Sequence, residues 1–182
     1  MRVLLISANT EQINMPVLPL GLACVAAAID NQGHTVIMLN LMMPDDTSKA
    51  IHETIVEFNP EIIGISVRNI DDQNMENPRF LLETVKDVVT HCRQYSVATI
   101  VLGGAGYSIF PQATLDFLDA DMGIQGEGEC AFLALLNRLH NKKDISEIPG
   151  LYFHGQKSQR ESGYIKSLAD VPLPLPDLHL ST

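Results

Sequence analysis

Apolar and polar positions along the chain fall into alternating blocks of two kinds. Short unbroken apolar runs read as strands covered on both faces, as in a parallel sheet. Longer stretches with apolar positions near helical spacing read as helices between them. Arg2–Ser7 is the first strand. Leu20–Asn31, rich in Ala and Leu, is the first helix, with Gly33 placed to cap its C-terminus. Thr35–Leu39 is the second strand. Thr47 or Ser48 can cap a helix that runs to Phe58 and stops at Asn59-Pro60. Ile62–Val67 is the third strand, and the polar loop Arg68–Asn77 follows it. Pro78 opens a helix to about Tyr95, in which Phe80, Leu81, Val85, Val88 and Val89 lie near helical spacing. Ala98–Leu102 is a strand, Pro111–Leu118 a short helix, Met122–Ile124 a short strand and Glu127–Asn141 a helix with acidic residues in its first turn.

This alternation predicts an α/β fold, a flavodoxin-like, doubly wound parallel sheet of five strands in the order 2-1-3-4-5. Ligands of such sheets bind beyond the carboxyl ends of the strands, at the crevice between the first and third strands. The tail is different. Leu151–His154 and Tyr164–Ser167 read as a small β-hairpin around a polar turn, and the prolines of Asp170–Asp177 favour an extended connector. Residues 1–145 are therefore expected to form the Rossmann-like domain, and 146–182 a hairpin and connector toward something that follows.

Charge and cysteine content narrow the function. A net charge of −10 disfavours a nucleic-acid or anionic-membrane partner, which requires a basic patch. Cys24, Cys92 and Cys130 form no CxxC or CxxxCxxC spacing, which removes a local zinc or iron–sulfur site. Sparse, odd cysteines suit a reducing cytoplasm. Met1–Ile6 reads directly as a strand rather than a signal peptide, and Val17–Ile29 is too short for a membrane span.

Familiar cofactor fingerprints are missing. The first strand leads into Ser7-Ala8-Asn9-Thr10 with no glycine, so the GxGxxG dinucleotide turn is absent, as is a P-loop. The histidines His34, His52, His91, His140, His154 and His179 are scattered. No nucleophile–base pair is legible, so no catalytic residue and no metal ligand is assigned. Instead, three strand-end segments stand out: Ser66–Asp72, Gly103–Pro111 and Gly126–Glu129. Glycine leaves no Cβ and permits positive φ, so a large ligand can approach the backbone there. Gly104 is expected to be such a point, where a larger residue would block the ligand and spare the fold.

Together these segments resemble the cobalamin-binding domain at the N-terminus of cobalamin-dependent radical S-adenosylmethionine enzymes. The matching pieces are Pro19-Leu20-Gly21-Leu22, Ile65–Asp71, Gly103–Tyr107 with Phe110-Pro111, Gly126–Glu129, Ile148–Tyr152 and the proline-rich Asp170–Leu178. The resemblance implies base-off cobalamin with the corrin over the strand ends and its nucleotide tail in the crevice. It assigns cofactor contacts to Ala8, Asn9, Thr10, Ser66, Arg68, Asn69, Gly103, Gly104, Gly106, Tyr107, Gly126 and Glu127, with Tyr107 and Asn9 nearest the lower face of cobalt.

Two departures qualify that expectation. The Asp-x-His-x-x-Gly motif that supplies a lower histidine ligand is absent, leaving water, another side chain or nothing below cobalt. The CxxxCxxC motif is absent as well, so S-adenosylmethionine and a 4Fe–4S cluster would belong to a C-terminal radical barrel outside this chain. The expected role is cofactor binding for a methyltransferase or a related enzyme, with the isolated chain inactive. The alternatives are an interaction or regulatory domain that has lost the cofactor, and a nucleotide-sugar or flavin binder on the same sheet.

Overall fold

Arg2–Ser7 forms strand β1, and its apolar run is buried almost throughout because it lies inside the sheet with a helical layer on each face. A computed structural model describes residues 1–10, 18–72, 74–156 and 172–174. The other strands are β2 (Thr35–Asn40), β3 (Ile62–Ser66), β4 (Thr99–Gly103), β5 (Met122–Ile124) and β6 (Leu151–Phe153). The helices are α1 (Leu20–Asp30), α2 (Thr47–Phe58), α3 (Leu82–Tyr95), α4 (Ala105–Ile109), α5 (Pro111–Leu118) and α6 (Gly128–His140).

The sheet has the order β2-β1-β3-β4-β5-β6, so the expected order of the five parallel strands holds. β6 is an addition. It pairs antiparallel with β5, Gly123 opposite Tyr152, and joins the main sheet as a sixth strand. The hairpin partner expected at Tyr164–Ser167 lies outside the described residues.

Strand alternation sends side chains to two cores. Val3, Leu5, Val36, Met38, Ile62 and Val101 face α1 and α6. Leu4, Ile6, Ile63, Ile65, Ile100 and Leu102 face the opposite helical layer, which includes α2, α3 and α5. Helix α1 approaches its face through Ala23 and Ala26, whose small side chains bring the helix close to the strands.

Local chemistry moves three expected boundaries. Helix α2 is capped by Asp46 rather than Thr47 or Ser48: its carboxylate accepts the Lys49 amide at 2.9 Å. An aspartate there satisfies an orphan donor and also complements the positive helix end. Pro78 does not open α3. The Asp72 carboxylate accepts the amides of Asn74 and Arg79 at 3.1 and 3.0 Å, and a bridge joins Asp71 to Phe80. This closed loop outcompetes the first turn of the expected helix, as aspartate turns can. Finally, α4 is a separate short helix that the glycine-rich segment concealed.

Candidate cofactor cleft

Strand register sets the rim of the site. Asn40 pairs with Ser7, Ser7 with Ser66, and Ser66 with Gly103, so one row of small or polar residues crosses four strands at their carboxyl ends. Below that row, on the α1/α6 face, lies a cleft of about 710 Å³. Its walls come from β1, β3, β4 and β5 and from α1 and α6. It begins at the crevice between β1 and β3 and extends across β4 to β5.

Its depth depends on Gly64. Every other residue of β3 carries a side chain, but Gly64 faces α6 with only a hydrogen. A Cβ there would lie 2.6 Å from Leu5 Cδ2 and 3.2 Å from Phe132 Cζ. Val25, Val101 and Ile124 complete an apolar floor. At the mouth, Gly21 adds no side chain, and Leu18 and Leu20 stand more than half exposed. Arg68 is the one Lys or Arg among the described lining residues, and Glu127 and Glu129 face it in composition.

The two glycine junctions close around this cleft. Gly104 has φ 98° and ψ 172°, and Gly126 has φ 89°, both in backbone regions that favour glycine. The Gly104 result corrects an expectation. A Cβ at Gly104 would lie 2.6 Å from the Val67 carbonyl oxygen and 3.0 Å from Ser66 Oγ. The close approach is made by the protein's own β3 end, so a larger residue would strain the fold as well as narrow the cleft. Gly106 is likewise structural: its amide donates to the Val67 carbonyl at 3.0 Å, and a Cβ would press the Arg68–Asn69 backbone.

Of the residues singled out by sequence, Asn9, Ser66, Arg68, Gly103, Gly104, Gly126 and Glu127 line the cleft together. Asn9 donates from Nδ2 to Met42 Sδ at 3.4 Å. Ala8, Thr10 and Asn69 do not reach it; they line a small neighbouring hollow of about 20 Å³, which Asn9 and Arg68 share. Tyr107 is fully buried in the opposite core. Its ring packs against Gly123, where a Cβ would overlap the hydroxyl. That hydroxyl has no hydrogen-bond partner, and burial pushes its pKa well above the usual phenol value. Tyr107 is thus a core residue away from the cleft.

Sequence reading missed Gly64, Val25, Phe132 and Ser108 as lining residues. A lone glycine inside the β-branched run Ile62–Ser66 was the available signal, since glycine weakens a strand unless something must come close. No histidine lies among the described lining residues. Among the described residues, no cluster of His, Cys, Asp and Glu is gathered to hold a metal ion, and no helix is long and apolar enough to cross a membrane.

Known proteins resemble this chain in sequence and fold. Residues 6–136 match the family model described as the B12 binding domain. Among curated proteins, the chain is 28% identical over 146 residues to a tryptophan 2-C-methyltransferase from Streptomyces laurentii, covering 79% of this chain and 24% of that one. It is 26% identical over 187 residues to an uncharacterized methyltransferase from Pyrococcus horikoshii, covering 98% of this chain and 39% of the relative. The chain thus spans roughly a quarter to two-fifths of the length of these relatives. Among solved structures, the radical S-adenosylmethionine methyltransferase TsrM from Kitasatospora setae, with cobalamin and a 4Fe–4S cluster bound, superposes with a TM-score of 0.79 at 29% identity. That match covers 84% of this chain and 28% of TsrM. The cobalamin-dependent S-adenosylmethionine radical enzyme OxsB shares the fold, with a TM-score of 0.74 at 18% identity over 95% of this chain and 24% of OxsB. Since the B12-binding model matches residues 6–136, well over half of its length, this chain belongs to the B12-binding domain family.

Proposed function

We propose that this chain holds base-off cobalamin for a radical S-adenosylmethionine methyltransferase, with the sheet through β6 as the cofactor domain and the residues after it leading toward a radical barrel. The observation that carries the reading is the single continuous cleft from the Ser7–Ser66–Gly103 row down to the Gly64–Phe132 floor. Cobalamin is a broad, amide-rich ring with a long tail that ends in a flat, largely apolar base. The two parts of the cleft match its two parts. Polar and glycine backbone groups at the rim suit the ring's amides, and the apolar slot suits the base. The near absence of cations fits a ligand with one phosphate and many neutral groups.

When bound, cobalamin would supply a cobalt centre able to carry a methyl group, chemistry that belongs to the cofactor rather than to the protein. The chain's own residues bind and orient it. Ser66 and Asn9 offer hydrogen bonds at the rim, Gly103, Gly104 and Gly126 present backbone, and Arg68 offers a guanidinium. Leu5, Val25, Val101 and Phe132 keep water from the slot. The substrate and the radical chemistry would lie with the barrel.

No described lining residue is a histidine, which supports a lower face of cobalt without an imidazole from the described part of the cleft. Reduction to Co(II) and electron paramagnetic resonance test this. The expected spectrum has cobalt lines without threefold splitting. A nitrogen ligand, with nuclear spin one, would split each line into three, and such triplets would contradict the base-off, histidine-free reading.

A further inference from the structure

The two glycine junctions belong to different strand–helix units, yet one hydroxyl ties them together. Ser108, on α4, donates from Oγ to the Gly104 carbonyl at 2.9 Å and accepts the Gly126 amide at 3.0 Å. A hydroxyl has one proton to give and lone pairs to receive, so both bonds form in one orientation. The Ser108 carbonyl in turn accepts Gln125 Nε2 at 3.2 Å. Gln125 Oε1 accepts the Tyr152 hydroxyl at 3.0 Å, and the Gln125 amide donates to the Gly150 carbonyl at 2.9 Å. Because the Ser108 carbonyl can only accept, it fixes which way the Gln125 side-chain amide points, and the Tyr152 hydroxyl then donates to Oε1. The result is a chain of bonds from Gly104 through Ser108 and Gln125 to the antiparallel strand β6.

We propose that Ser108 is a positioning residue that clasps the Gly104 and Gly126 junctions into one rigid rim and thereby sets the affinity of the cleft for cobalamin; this rests on the cobalamin reading above. Each glycine sits in a conformation with many accessible alternatives, because glycine loses more backbone freedom on ordering than any other residue. Without the clasp, that ordering cost falls on the binding step. Preorganisation of a rim raises affinity by removing such a cost beforehand. Tyr152 extends the clasp to β6, so the strand outside the parallel core also supports the rim.

The test compares the wild type with Ser108→Ala, Ser108→Thr and Tyr152→Phe. Hydroxocobalamin titration is followed by visible absorbance, and amide hydrogen exchange is measured on the ligand-free chains. Ser108→Ala is expected to bind about tenfold more weakly, the scale of one or two net hydrogen bonds. The Gly126 amide should exchange faster while β1 and β3 amides keep their protection. Threonine keeps the hydroxyl and should restore both readouts. Unchanged affinity in Ser108→Ala, or equal loss in Ser108→Thr, would overturn the proposal. If circular dichroism shows Ser108→Ala unfolded, Tyr152→Phe decides: a loss of roughly threefold with faster Gly126 exchange supports the clasp, and wild-type behaviour overturns it. Failure of the wild type itself to bind would count against the cobalamin reading, a result distinct from a wild type that binds and a serine variant that binds equally well.

Discussion

Gly64→Val is expected to reduce cobalamin affinity by roughly a hundredfold or more, the equivalent of a lost apolar subsite, while the chain still folds. The first carbon of the new side chain already falls 2.6 Å from Leu5 Cδ2 and 3.2 Å from Phe132 Cζ. Both are outer side-chain atoms, so they can move, and the free space available to them is the cleft. The branched methyls then fill what remains of the slot. Overpacking a core costs about 1–3 kcal/mol, partly offset by valine's preference for strands. Parallel cofactor titration and urea denaturation separate the two effects. A variant that folds and binds as the wild type does would show that the slot beside Gly64 does not receive the ligand.

Gly104→Ala is expected to act mainly on stability. At φ 98° and ψ 172° almost every residue but glycine is strained, and a Cβ would sit 2.6 Å from a backbone oxygen that cannot swing away. Strain of that backbone class alone costs about 1–3 kcal/mol, and the Val67 contact adds to it. Moreover, the Val67 carbonyl already receives the Gly106 amide, and the Val67 amide donates to the Gly103 carbonyl at 2.8 Å. Moving β3 aside would break the stitching between two strand ends. The urea midpoint should fall clearly, with or without cofactor. A ligand-free midpoint equal to the wild type would mean that the glycine is needed only for the ligand, as the sequence alone suggested.

The contrast between Gly64 and Gly104 explains what the sequence could reveal. Buried parallel strands announce themselves as apolar runs, so β1 to β5 and their order were legible. The glycine pairs at strand ends were legible as sites of close approach. What approaches them was not, because Val67 comes from a strand remote in sequence. Tyr107 misled for the same reason. The resemblance placed it nearest the lower face of cobalt, yet α4 turns it into the opposite core, where Gly123 makes room for it. Ser108 was not singled out within Gly103–Pro111, because its role depends on Gly126, which the β4–β5 pairing brings near. The antiparallel β6 was read as half of a separate hairpin, since a short strand carries no mark of its partner.

The central claim is that the cleft receives cobalamin, and the direct measurement is retention. The purified chain is mixed with excess hydroxocobalamin under reducing conditions, passed through a desalting column, and its visible spectrum recorded with circular dichroism on the same fraction. The account predicts that corrin absorbance elutes with the folded protein in near-stoichiometric amount. A folded protein fraction with no corrin absorbance, all of the cofactor having passed into the salt volume, would contradict it.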